Sequence, residues 1–104
     1  MFTVTAWRNG PHGPNTCYGL RVALNDRAHF FRHAWDTVHL QLPNRPDAAA
    51  IPLSPSFWRS CPELRGEAIG AWLRHTGMAP WARHHPPRFV MRPTGNARFV
   101  VELP

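Results

Sequence analysis

Apolar and polar residues alternate with a period of two in several short segments of the chain. Phe2, Val4 and Ala6 interleave with Thr3, Thr5 and Trp7, and Leu20, Val22 and Leu24 interleave with Arg21 and Ala23. Successive side chains of a strand face opposite sides, so each segment predicts a strand buried on one face. Val38, Leu40 and Leu42 repeat the pattern against Thr37, His39 and Gln41, and after Pro43 to Asp47 the run Ala49 to Leu53 resumes it. These two runs predict a hairpin. Near the end, Thr94, Gly95 and Asn96 supply turn chemistry between Phe89–Met91 and Phe99–Leu103, which predicts a second hairpin.

Helical periodicity fits between the strands. Asn25 or Asp26 can cap a short helix running to about Trp35, with Ala28, Phe31 and Trp35 at three- and four-residue spacing. Ser60 and Glu63 have the spacing of a capping box, with Pro62 in the first turn. Leu64, Ala68, Ile69, Trp72 and Leu73 then form an apolar face before Gly77 stops the helix. Gly66 and Gly70 lie four apart on this helix, where missing side chains would admit a close neighbour. The expected order is ββαββαββ: an α+β domain spanning residues 1–104, mostly antiparallel sheet or open pseudobarrel with two helices. The Pro-rich stretches at Gly10–Pro14, Pro43–Pro46 and Pro80–Pro87 separate elements rather than domains.

Charge changes the picture more than hydropathy does. All twelve basic residues are Arg, against six acids, for a formal net charge of +6. A GC-rich genome would also favour Arg over Lys, but it would not decide where the charges lie. Between Glu67 and Glu102 there is no acid, while Arg74, Arg83, Arg88, Arg92 and Arg98 fall there with His75, His84 and His85. A second acid-free stretch, Met1 to Asn25, holds Arg8, His12 and Arg21. Were the two stretches neighbours in space, they would form one basic surface suited to nucleic acid or to an acidic protein. The apolar runs are far shorter than the roughly 18 residues of a membrane span, and no basic segment followed by a long apolar one opens the chain, so a cytoplasmic protein is expected. Cys17 and Cys61 have no paired-ligand spacing, and reduced packing cysteines are the expectation.

Reactive chemistry finds little support. His29 and His33 would share a helix face, and His84 and His85 are adjacent, but neither pair brings a third ligand, so no metal is expected. No glycine loop of a phosphate- or dinucleotide-binding kind occurs, and no cofactor is expected. Cys61, in the first turn of the second helix and near Arg59 and Arg65, would have a dipole-activated thiol, yet it follows Phe57 and Trp58 and fits equally as a small apolar filler. Glu63 and Glu67 are the one compact carboxylate pair, and Glu63 has its capping role. Arg27 and His33 have the spacing of the Arg and His pair of HEPN ribonucleases, and such a pair can perform acid–base work on phosphate esters. That family is helical throughout, whereas this chain is strand-rich. A metal-independent ribonuclease is therefore the third reading, and no catalytic residue is assigned.

Two polar connections carry the most chemistry. Arg8, Asn9 and His12 lie in the long link from the first strand to the second, and Arg83, His84, His85 and Arg88 lie in a link stiffened by Pro86 and Pro87. Both offer donors for phosphates and base edges. Trp7 and Trp81 border these links and could stack on bases or sugars, though a Trp at a strand end commonly packs. The order of strands around two helices, the closing hairpin with Phe89 and Phe99, and the basic connections resemble B3-like pseudobarrel DNA-binding domains of plant transcription factors and bacterial restriction enzymes. The segment Ser56 to Pro80 is also similar to small bacterial proteins of unassigned function. The B3-like resemblance implies two loop-bearing arms that grip the major groove of duplex DNA. Arg8, Asn9 and His12 would form one arm, and Arg83, His84, His85 and Arg88 the other. The leading expectation is a small nucleic-acid-binding module, DNA favoured; the alternative is a module docking on an acidic partner protein.

Overall fold

A computed structural model describes the chain from Met1 to Pro104. The alternation at the N-terminus forms β1 (Phe2–Asn9), with Phe2, Val4 and Ala6 buried and Thr3 exposed. It pairs antiparallel with β2 (Cys17–Val22), where Tyr18, Leu20 and Val22 face the same interior. A short helix α1 (Leu24–Phe30) leads to β3 (Thr37–Gln41) and β4 (Ala49–Pro52), the expected hairpin. Then come α2 (Pro55–Arg59), β5 (Glu63–Arg65), α3 (Glu67–His75) and the closing hairpin of β6 (Arg88–Gly95) and β7 (Arg98–Glu102).

All seven strands belong to one sheet, in the order β4-β3-β7-β6-β1-β2-β5. Every pairing is antiparallel except β3 with β7, which run parallel through Leu40 and Phe99. The sheet curls until the Cα atoms of its edge strands, β4 and β5, approach within 8 Å, but no ladder joins them. The fold is therefore α+β with an open, curled sheet and three helices. Its interior holds Val4, Leu20, Leu40, Leu64, Phe89 and Phe99, and α3 covers it with Ile69, Trp72 and Leu73. The Trp72 ring lies 4.8 Å from that of Phe89.

The expected second helix, from Ser60 to Gly77, is in fact the strand β5 followed by the helix α3, and a further short helix, α2, lies before its expected cap. The Ser60 and Glu63 spacing does not cap anything: Glu63 sits in β5 opposite Arg21 of β2, and Ser60 ends α2. Glu63 is buried, and its carboxylate accepts from Arg21 Nε at 3.2 Å and from Arg65 Nη2 at 3.4 Å. A buried carboxylate needs such partners, and in β5 Glu63 gains Arg21 from across the sheet. Gly66 precedes α3, and Gly77 adopts φ +78 just past its end, as the expected stop requires. The first helix is shorter than expected. It ends at Phe30, and Phe31 turns extended to insert its ring between Phe99, 5.0 Å away, and Phe57, 5.3 Å away. Burial of that ring outweighs continuation of a helix with no buried residue of its own.

One close approach was not visible in the pattern. A Cβ on Gly19 would stand 2.6 Å from the Leu64 carbonyl oxygen and 3.3 Å from the Trp7 ring. Gly19 thus lets β5 and Trp7 close over β2. At Gly70, by contrast, the nearest atoms to a Cβ would be 3.7 Å away, an ordinary contact.

Candidate functional site

The two basic connections meet in space. β1 and β6 are neighbours in the sheet, and the Ala6 N–H donates to the Pro87 carbonyl at 2.8 Å, so the link preceding β6 lies against the end of β1. Arg8, Gly10, Pro11 and His12 from one connection and Trp81, Arg83 and His84 from the other line a single open cleft of about 610 Å³. No acidic side chain lines it.

His12 holds the two connections together. Its Nδ1 lies 2.6 Å from the Tyr18 hydroxyl, and its Nε2 accepts the Trp81 backbone N–H at 3.4 Å. An imidazole nitrogen that accepts carries no proton, so Nδ1 bears the hydrogen and donates to Tyr18. Desolvation, and after it the Arg8 guanidinium, hold His12 below its usual pKa of 6.5, in keeping with the neutral ring that these bonds require. The His12 and Trp81 rings meet edge to face at 4.6 Å, and Tyr18 closes the group 5.4 Å from Trp81. Arg74, on the last turn of α3, lies 4.9 Å from the Tyr18 ring and donates to the Thr16 carbonyl at 2.8 Å, with longer contacts to the carbonyls of Gly13 and Pro14. It pins the β1–β2 connection to the helix.

The remaining expected residues are distributed around this cleft. Arg8 is half-buried and bonds the Gly10 carbonyl, while Arg83 is exposed without a protein partner. His84 adopts φ +65, a left-handed conformation uncommon for a residue with a Cβ. Backbone strain of this kind costs of order 1 kcal/mol and concentrates at binding sites. His85 is exposed in the same turn, its N–H donating to the Ala82 carbonyl. Asn9 ends β1 opposite Cys17 and stands outside the cleft lining, as does Arg88, which opens β6 opposite Thr5 on the exposed face of the sheet. Tyr18 and Arg74, which position the cleft, carry no local signal that distinguishes them. Their roles arise from tertiary contacts with His12 and the loop carbonyls.

The other candidate residues lie on α1, α2 and the segments that follow them. No group of three or more His, Cys, Asp or Glu side chains is placed to hold a metal ion. His33 lies past the end of α1, so it does not share a helix face with His29. Arg27 donates to the Phe57 carbonyl at 2.7 Å and its guanidinium lies 5.7 Å from the Trp58 ring, on which the His33 ring stacks at 3.8 Å. Cys61 lies between α2 and β5 rather than in a first helical turn, which removes the dipole argument for an activated thiol. No helix is long and apolar enough to cross a membrane.

A scan against protein-family models finds no match, and searches of curated proteins and of solved structures find none either.

Proposed function

We propose that the chain is a small nucleic-acid-binding module that holds double-stranded DNA through the cleft between the β1–β2 connection and the link preceding β6. The observation that carries this reading is the convergence of Arg8, Arg83, His84 and Trp81, from opposite ends of the chain, on one acid-free cleft. Arg guanidinium groups match phosphate geometry bidentately. Arg8 and Arg83 contact phosphates. His84, and Asn9 and His85 beside the cleft, offer donors to base edges at the groove floor. His12 acts one step back, because both its nitrogens are committed to holding the cleft.

The test is salt-dependent binding to a random-sequence duplex. Each neutralised phosphate releases condensed counterion, so log Kd should rise with log salt at about 0.9 per contact. Absence of binding even in dilute buffer would point instead to an acidic protein as the partner of this face.

A further inference from the structure

β1 has a second end, and it too is lined by donors. Phe2 at its start stacks on Phe30 at 4.5 Å. Phe30, His29, Arg32 and Trp35 join Asn96 of the β6–β7 turn around an open depression of about 370 Å³. The Trp35 Nε1–H donates to Asn96 Oδ1 at 3.2 Å. An indole nitrogen can only donate, so the amide oxygen must face it, and both N–H bonds of Asn96 Nδ2 are left free for a ligand. Arg32 is exposed and has no carboxylate or carbonyl partner. No acid lines the depression; the carboxylate of Glu102, on β7, is held by Arg92 at 2.8 Å. An unpaired guanidinium and a free amide N–H pair, with no carboxylate nearby and two aromatic rings beside them, suit an anionic, acceptor-rich ligand. That is the chemistry of the cleft at the far end of β1, a strand of eight residues that spans about 25 Å at 3.3 Å per residue.

Resting on the proposed function, we infer that the depression formed by His29, Arg32, Trp35 and Asn96 is a second nucleic-acid contact, so that one chain bridges two duplex segments. Arg32 and the Asn96 amide take backbone phosphate oxygens of the second segment, while the first occupies the cleft of Arg8 and Arg83. The two contacts lie at opposite ends of β1 and share no lining residue.

The experiment mixes two short duplexes, one labelled with a donor dye and one with an acceptor, with limiting protein. The wild type should bring the dyes together. Arg32→Gln with Asn96→Asp keeps the acceptor for Trp35 and removes the cation and the free amide. It should still bind a single duplex through the cleft, with a salt slope lower by at most about 1, but lose energy transfer about tenfold. Energy transfer undiminished in that variant would overturn the second contact, since self-association or another surface would then be bridging. Wild-type protein that binds one duplex with steep salt dependence and never bridges would also overturn it, leaving the proposed function intact. Binding to neither duplex would remove both.

Discussion

The two ends of β1 are held by different physics. At its start, Phe2, Phe30, Phe31, Trp35 and Phe99 form an aromatic layer, with Phe31 stacked on Phe99 and Phe2 edge-on to it at 5.9 Å. At its other end the contacts are polar: His12 between Tyr18 and Trp81, and Arg74 on the loop carbonyls. Apolar burial is non-directional and large, whereas hydrogen bonds at a half-exposed site are directional and worth little net. The aromatic end therefore carries stability, and the polar end carries a defined shape at low energetic cost. A cleft that must present Arg8 and Arg83 needs the second property.

The sharpest way to break this comparison is to remove a ring from the aromatic end. Phe99, 2% exposed, should lose about 3–5 kcal/mol on Phe99→Ala, read as a lower urea midpoint. Trp72→Ala, at 1% exposed, should cost a similar ~3–5 kcal/mol. Trp72→Phe should cost less, because the Trp72 Nε1–H is buried without a partner and its loss offsets part of the missing volume. A loss below about 1.5 kcal/mol for both alanine variants would mean that these rings are not the core.

Next come the glycines. Gly19→Ala should destabilise by about 1–3 kcal/mol, since the Leu64 carbonyl it would strike is backbone. Gly70→Ala should stabilise by roughly 0.5–1 kcal/mol, because α3 gains helix propensity and the added methyl meets its neighbours at ordinary contact distance. Thermal melts of the two variants should move in opposite directions.

The polar end responds to pH. His12 is held below its usual pKa in the folded protein, so on acidification the unfolded chain takes up this proton first. Stability from His12 is then fully present above the usual value of 6.5 and declines as pH falls from there towards the folded pKa. His12→Gln should flatten that part of the profile, measured as the difference between wild-type and variant melts from pH 7.5 to 5. An unchanged difference would show that His12 is not the neutral link between the connections. The smallest effect on stability belongs to Arg83→Ala, within about 0.5 kcal/mol, because Arg83 is exposed and bonded to nothing.

What could be read from sequence follows the same division. Strands β1, β3, β4, β6 and β7 were legible through the alternation that a sheet with one buried face favours, and β2 in part: Leu20 and Val22 point inward, but Tyr18, Gly19 and Leu20 are all buried, and Leu24, which continues the alternation, opens α1 instead. The strand β5 was not, since it is only Glu63–Arg65 and lies inside a run whose Leu64, Ala68 and Ile69 mimic a helical face. Its identity depends on Arg21 and Gly19, partners distant in the chain. The parallel pairing of β3 with β7 has no local signature either. Trp72 was legible as core, whereas Trp35 is only half-buried, its N–H engaged by Asn96. The basic loops could be identified by charge, and their meeting could be anticipated only as a condition. The role of His12 as a pin rather than a free donor depends on Tyr18 and Trp81, which no spacing rule connects.

The central claim is that Arg8 and Arg83 act together on phosphates in one cleft. Duplex binding titrated across salt concentrations, for wild type and for Arg8→Ala with Arg83→Ala, tests it most directly. The account predicts a steep wild-type dependence, a variant slope lower by about 2, and a Tm shifted by only a few degrees. Wild-type and variant curves of equal slope and affinity would contradict it, because the convergence of the two connections would then have no part in binding.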